Sequence, residues 1–258
     1  MPRRRRADTV FHFSMGLIRR ILRGAASCAL FAAFGLGALL MAPLILLLGS
    51  TERCQPVVRF VWSALVWLFV HTGLIRLDRG NLPDCRGTII AASHPSLIDV
   101  VLLTVLIPRS LSVAKPAVRK NPFMGIEART VAIPGGAENL GRVAACLERG
   151  WNVIIFPEGT RSPFRGMDPG CGDLHPFQRG AAQLALRTGA PIVCVGIRQS
   201  RRILAKRQPA WDMGTDPVRY AFRADSATVE RPRPGESLHG AACRLTAELE
   251  RRVKGLLV

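Results

Sequence analysis

Two short runs in this sequence combine side chains that can move a proton with side chains that can hold an anion. The first is Ser93-His94-Pro95-Ser96-Leu97-Ile98-Asp99. The apolar stretch 88–92 before it predicts a strand that delivers His94 to its C-terminal end. Pro95 suits a first helical turn, where a missing N–H costs nothing. Asp99 then falls early in that helix. Helical side chains lean toward the N-terminus, so its carboxylate can point back at His94. Such a pairing fixes the imidazole tautomer and leaves the second ring nitrogen to accept a proton. The same spacing also describes a histidine in a turn beside an aspartate that only complements a helix dipole.

The second run is Phe156-Pro157-Glu158-Gly159-Thr160-Arg161-Ser162, directly after another apolar run at 152–156. Sites in α/β sheets gather at the carboxyl ends of strands. Gly159 permits close approach of the backbone to a ligand. The fork of Arg161 matches the geometry of a phosphate. Taken alone, the run also fits a tight turn with a surface ion pair.

The elements that must position these residues follow from periodicity. Runs 88–92, 111–114, 130–133, 152–156 and 191–197 predict strands, and 97–106, 138–149, 178–188 and 237–257 predict helices. Their alternation predicts an α/β fold with a mixed, largely parallel sheet flanked by helices. The Gly-, Pro- and Asp-rich segment 157–176 is long enough to expect a functional loop.

The N-terminal part differs. Residues 1–23 are basic and 24–50 carry no charge, a length that can span about 30 Å of hydrocarbon. The polar break TERCQP at 51–56 precedes a second apolar stretch, 60–75, with Trp62 and Trp67. That stretch suits an interfacial or re-entrant helix. We therefore expect a basic segment (1–23), a membrane-embedded helical hairpin (24–75) and an α/β domain (76–258). The apolar region is longer than that of a cleaved signal peptide. The arginine-rich start predicts a cytoplasmic N-terminus. A hairpin would return the domain to that side, at the cytoplasmic (inner) membrane.

The 258 residues carry a net charge of +18, 48% hydrophobic and 6% aromatic residues. The charge fits an anionic membrane surface or a phosphorylated substrate, and also a mere bias toward arginine. With a single tyrosine there is no stacking platform for nucleic acid. The seven cysteines are scattered without a CxxC pair, so neither a disulfide framework nor a zinc site is expected. His12, His71, His175 and His239 lack metal-ligand spacing.

In this order, the two runs resemble the blocks of the glycerolipid acyltransferase family, typified by 1-acylglycerol-3-phosphate acyltransferase. The second matches F-P-E-G-T-R-S throughout. The first matches N-H-x-S-x-x-D at His94, Ser96 and Asp99, with Ser93 in place of asparagine. Lys115 with Asn121-Pro122-Phe123-Met124-Gly125, and Pro191-Ile192-Val193-Cys194-Val195-Gly196-Ile197, resemble the family's two weaker blocks. Pro176-Phe177-Gln178-Arg179-Gly180-Ala181 resembles its basic-glycine segment. The resemblance covers roughly 75–225.

It implies a membrane-bound acyltransferase that uses acyl-CoA or acyl carrier protein as donor substrate and needs no cofactor or metal. The acceptor would be the lysophospholipid 1-acylglycerol-3-phosphate and the product phosphatidic acid. His94 would be the base and Asp99 its partner. Arg161 would grip the acceptor phosphate with help from Lys115 and Arg179, and Glu158 would position Arg161 or the acceptor hydroxyls. Gly159 and Thr160 complete the expected substrate-binding set, with backbone N–H groups near Gly159 as a candidate oxyanion site. The departures around Val131-Ala132-Ile133-Pro134-Gly135-Gly136 keep a non-glycerol acceptor open, such as an amino-acid lipid or an aryl-polyene-type lipid. A non-enzymatic basic protein that binds membrane or nucleic acid is the alternative of another class.

Overall fold

The computed structural model describes residues 3–49, 51–114, 132–136, 139–163 and 174–258. Lys115 and the block 121–125 lie outside the described residues. The strands are β1 (Ile75–Asp78), β2 (Ile89–Ala92), β3 (Ser110–Ala114), β4 (Ala132–Pro134), β5 (Asn152–Ile155), β6 (Ile192–Gln199) and β7 (Val218–Ala224). They form one sheet in the order β1-β7-β6-β2-β5-β3-β4. All neighbouring pairs are parallel except β6 with β7.

The central strands read as unbroken apolar runs because helices cover both of their faces. Alternate residues serve opposite cores. Ile90, Ile154, Val193 and Val195 belong to one cluster, and Ile89, Val153, Ile192 and Cys194 to the other.

Helices α1 (Arg3–Leu48), α2 (Thr51–His71) and α3 (Asp99–Leu106) lie on the first face. On the second are α4 (Leu140–Glu148), α5 (Gly180–Thr188) and α6 (Leu238–Leu256). In α6, Ala241, Ala242, Leu245, Leu249 and Val253 make a buried stripe at helical spacing. The end of α6 meets Gly196 so closely that a Cβ there would lie 2.7 Å from Leu256 Cβ.

The N-terminal helices differ from expectation in three ways. First, α1 is continuous, so the change of composition at residue 23 is not a structural boundary. Second, α2 begins at Thr51, before the apolar stretch, because Cys54 and Gln55 are buried. The Cys54 thiol donates to Ile45 O on α1 (3.4 Å), and Phe31 meets Phe69 edge-on at 5.5 Å. The two helices therefore run antiparallel. Third, α2 stops at His71. Gly73 takes the left-handed conformation (φ 68°), Leu74 N donates to Phe69 O, and the chain turns into β1.

Val58, Trp62, Leu65 and Phe69 of α2 share the core with β1, β7 and α3. Arg59 and Arg79 donate to the last carbonyls of α3, at Val105 O (3.0 Å) and Leu106 O (3.1 Å). The outer side of the pair exposes Leu17, Ile18, Ile21, Leu22, Leu36, Leu40, Leu47, Phe60 and Trp67. Ser14–Leu48 and Arg53–His71 are each long and apolar enough to cross a membrane.

Two arginines of the basic segment bind protein. Arg23 donates to the carbonyls of Gly73, Leu74, Gly214 and Asp216, and Arg20 pairs with Asp212 at 3.0 Å. Half-burying a guanidinium requires acceptors, and these loop ends present four carbonyls to Arg23.

Candidate active site

β2 ends at Ala92, and His94 follows at the carboxyl edge of the sheet. Ser93 secures that edge: its N–H donates to Val195 O, and its hydroxyl accepts from Ile197 N at 2.9 Å. Serine thus ties β2 to β6 at the position where the related family carries asparagine. His94 Nδ1 lies 3.0 Å from Asp99 Oδ2. The histidine side chain is 19% exposed and the aspartate fully buried. Asp99 also accepts from Ser96 N (2.6 Å) and from the Ser96 hydroxyl (2.5 Å). Accepting throughout and donating nothing, Asp99 behaves as an ionised carboxylate that requires the proton on His94 Nδ1. The Nε2 lone pair is left to act as a base.

Beneath this pair lies a relay absent from the sequence reading. Gln199 Nε2 donates to Tyr220 Oη (2.5 Å), and Tyr220 donates to Ser96 Oγ (3.1 Å), which donates to Asp99. Burial, and then the charge of Asp99, push the Tyr220 hydroxyl well above its ordinary range, so it remains a donor. Tyr220 is the only tyrosine, in the alternating run 218–224. Those two features are the signal that could have found it.

The second motif is joined to the first by backbone. Ser162 N donates to His94 O (2.7 Å), while His94 N lies 3.0 Å from Glu158 Oε1 and 3.3 Å from Ser162 Oγ. Glu158 also accepts from the Ser162 hydroxyl (2.6 Å) and from His175 N (2.9 Å). It is 3% exposed, and among the described residues no hydrogen bond or ion pair joins it to Arg161, whose positioning is one of the two roles expected for it. The reason is local: buried backbone donors around the turn need acceptors, and a buried carboxylate supplies them. Glu158 is a strut between the two motifs.

Gly159 adopts φ 64°, and a Cβ there would lie 2.5 Å from Gln178 Nε2. Its own N–H donates to Phe156 O (2.9 Å) and closes the turn. Thr160 is half-buried on the same turn. Arg161 Nη1 is held by Leu204 O (2.9 Å) and Ala205 O (3.1 Å). Arg179 faces α6, with Nη1 3.2 Å from His239 Nε2 and 3.8 Å from Cys243 Sγ. The structure therefore brings His94, Asp99, Glu158, Gly159, Thr160 and Arg161 together and turns Arg179 toward the surface.

Phe156 stacks on the imidazole of His94, with centroids 4.2 Å apart and planes 25° apart. Phe156 is also among the residues lining a cavity of about 400 Å³, with Val113, Gly136, Val143, Ile155 and Leu184. An apolar chamber thus opens next to a histidine set up as a base.

Residues 76–198 match a family model described as Acyltransferase. The 1-acyl-sn-glycerol-3-phosphate acyltransferase of Bacillus subtilis is 31% identical over 144 residues, 52% of this chain and 68% of that protein. A protein of the same name from Cocos nucifera is 36% identical over 139 residues, 50% of this chain and 42% of that protein. The chain spans about half the length of several of the curated relatives it matches. The crystal structure of the 1-acyl-sn-glycerophosphate acyltransferase from Thermotoga maritima shares the fold. Its TM-score is 0.66 at 19% identity, covering 93% of this chain and 95% of that one. With its motifs, its sheet and these relatives in agreement, the chain belongs to the acyltransferase family that includes the 1-acyl-sn-glycerol-3-phosphate acyltransferases.

Proposed function

We propose that this protein transfers a fatty acyl chain from a thioester, acyl-CoA or acyl carrier protein, to the free hydroxyl of 1-acylglycerol-3-phosphate, giving phosphatidic acid. The observation that carries this reading is the His94–Asp99 pair, 3.0 Å apart, with the ring stacked on Phe156, a residue that also borders the apolar cavity. His94 Nε2 takes the acceptor's hydroxyl proton as its oxygen attacks the thioester carbonyl. Collapse of the tetrahedral intermediate breaks the C–S bond, and the departing thiolate takes the proton from His94. General base catalysis of this kind contributes about 10²–10⁴-fold. Ser96 is fully buried between Tyr220 and Asp99, which speaks against an acyl-enzyme on that hydroxyl.

Arg161 is the phosphate ligand in this reading. Its Nη1 is anchored on two carbonyls, which orients the remaining edge of the guanidinium toward the acceptor. Lys115 is a second candidate cation. The apolar cavity suits the donor's acyl chain, and the exposed apolar side of α1 and α2 suits a bilayer that holds both lipids. Thioester donors are made in the cytoplasm, so we place the catalytic domain at the cytoplasmic face of the inner membrane.

The test is thiol release from long-chain acyl-CoA by membranes holding the protein, with lysophosphatidic acid as acceptor. Wild type should release thiol and form phosphatidic acid, and both should vanish together in His94→Ala. Folded wild type that forms no phosphatidic acid from either donor would reject the acceptor. An acyl product on a phosphate-free lipid would then move the reading to a non-glycerol acceptor.

A further inference from the structure

Between β6 and β7 the chain crosses behind the site as residues 200–217. Here Leu204 is 3% exposed at φ 54°. A non-glycine residue keeps that conformation only where its surroundings over-determine it. The surroundings are the two motifs. Leu204 O accepts from Leu97 N (3.0 Å), behind His94, and from Arg161 Nη1.

In the other direction, the Arg202 fork reaches one carbonyl within the first motif and one directly after the second. Nη1 lies 3.3 Å from Pro95 O, and Nη2 lies 3.3 Å from Pro163 O. The segment and the motifs thus hold each other reciprocally: Arg161 donates to the segment, and the segment's Arg202 donates back beside Arg161. Gln208 closes the loop, accepting from Ala205 N and donating to Arg202 O and Asp212 Oδ2.

We propose that Arg202 is a positioning residue for acyl transfer. It sets the span between the base His94 and the phosphate ligand Arg161, and so selects a phosphate-bearing acceptor whose hydroxyl reaches His94. This rests on the role given above to Arg161. Misplacement by about 1 Å can cost about 10²-fold in rate. A planar two-pronged donor is needed to reach both carbonyls, which an ammonium cannot do.

The experiment compares wild type, Arg202→Met and Arg202→Lys in the full-length membrane-bound protein. Two rates are read: transfer to lysophosphatidic acid, and His94-dependent thiol release to water or to monoacylglycerol, which lacks phosphate. In Arg202→Met, kcat/KM for lysophosphatidic acid should fall about 10–100-fold, with a raised KM. The phosphate-independent rate should stay within about twofold, since His94 and Asp99 keep their pairing. Arg202→Lys should show the same selective loss in part, and it carries the test if the methionine variant does not fold. Equal losses in both rates would mean a purely structural role and overturn the proposal, as would an unchanged KM. Wild type inactive on lysophosphatidic acid would instead reject the acceptor reading on which the proposal stands.

Discussion

Tyr220→Phe separates what the buried relay does for stability from what it does for chemistry. Phenylalanine keeps the ring, which is 0% exposed, and removes one oxygen. Gln199 Nε2 then loses its acceptor, and Ser96 Oγ loses one donor while it keeps Asp99. A buried polar group left unsatisfied costs about 1–3 kcal/mol, the stability loss expected near pH 8. The alkaline limb adds a second signature. Burial and the Asp99 charge raise the Tyr220 hydroxyl above its unfolded value of about 10. The folded state keeps a proton that the unfolded chain releases. The wild-type contribution is therefore complete below about pH 10 and falls by about 1.4 kcal/mol per pH unit above it. Phenylalanine has no such dependence, so the two stabilities should converge by about that amount at pH 11. The assay is urea unfolding in detergent from about pH 8 to pH 11, with tyrosinate absorbance followed in parallel. Since Tyr220 is the only tyrosine, that absorbance reports one group. A constant difference between the proteins, or tyrosinate appearing near pH 10 in folded wild type, would refute the reasoning.

Asp99→Asn should lower kcat by about 10²–10⁴-fold in steady-state kinetics, because the His94 tautomer is no longer fixed. A folded variant with unchanged kcat would remove Asp99 from the mechanism. Ser93→Ala leaves the Ile197 N–H without its acceptor and should cost about 1–3 kcal/mol in urea unfolding. A neutral result would show that β2 and β6 do not depend on that bond. The hydrogen bond from Gln208, then the charges of Arg201 and Arg20, hold the Asp212 carboxyl below its ordinary value in spite of partial burial. Its contribution is thus present above about pH 4 and is lost as pH falls through the lower folded value. The stability gap between wild type and Asp212→Asn should close on acidification, and a gap that persists at low pH would contradict this.

The His94–Asp99 pair and the centre of the sheet were legible from local rules. Apolar runs bounded by His94-Pro95 and by Pro157-Glu158-Gly159 placed β2 and β5. A carboxylate five residues after the histidine could reach it only across one helical turn. β1 and β7 escaped notice because β1 is short, both carry charged side chains between apolar ones, and they pair with each other across more than half the chain. Non-local pairing of this kind leaves little trace in any single window. The start of α2 escaped for a related reason: TERCQP is helical because Cys54 and Gln55 find buried positions against neighbouring helices.

The sequence by itself determined which groups are able to do the chemistry and in what order they come, since proton transfer and anion binding depend on side-chain type and on spacing within one turn. Only the tertiary structure decided what those groups touch. It made Glu158 a strut, anchored Arg161 on the 204–205 carbonyls, turned Arg179 outward and placed Tyr220 beneath Asp99. Buried donors and acceptors must find partners wherever the fold brings them, and those partners lie tens of residues away along the chain.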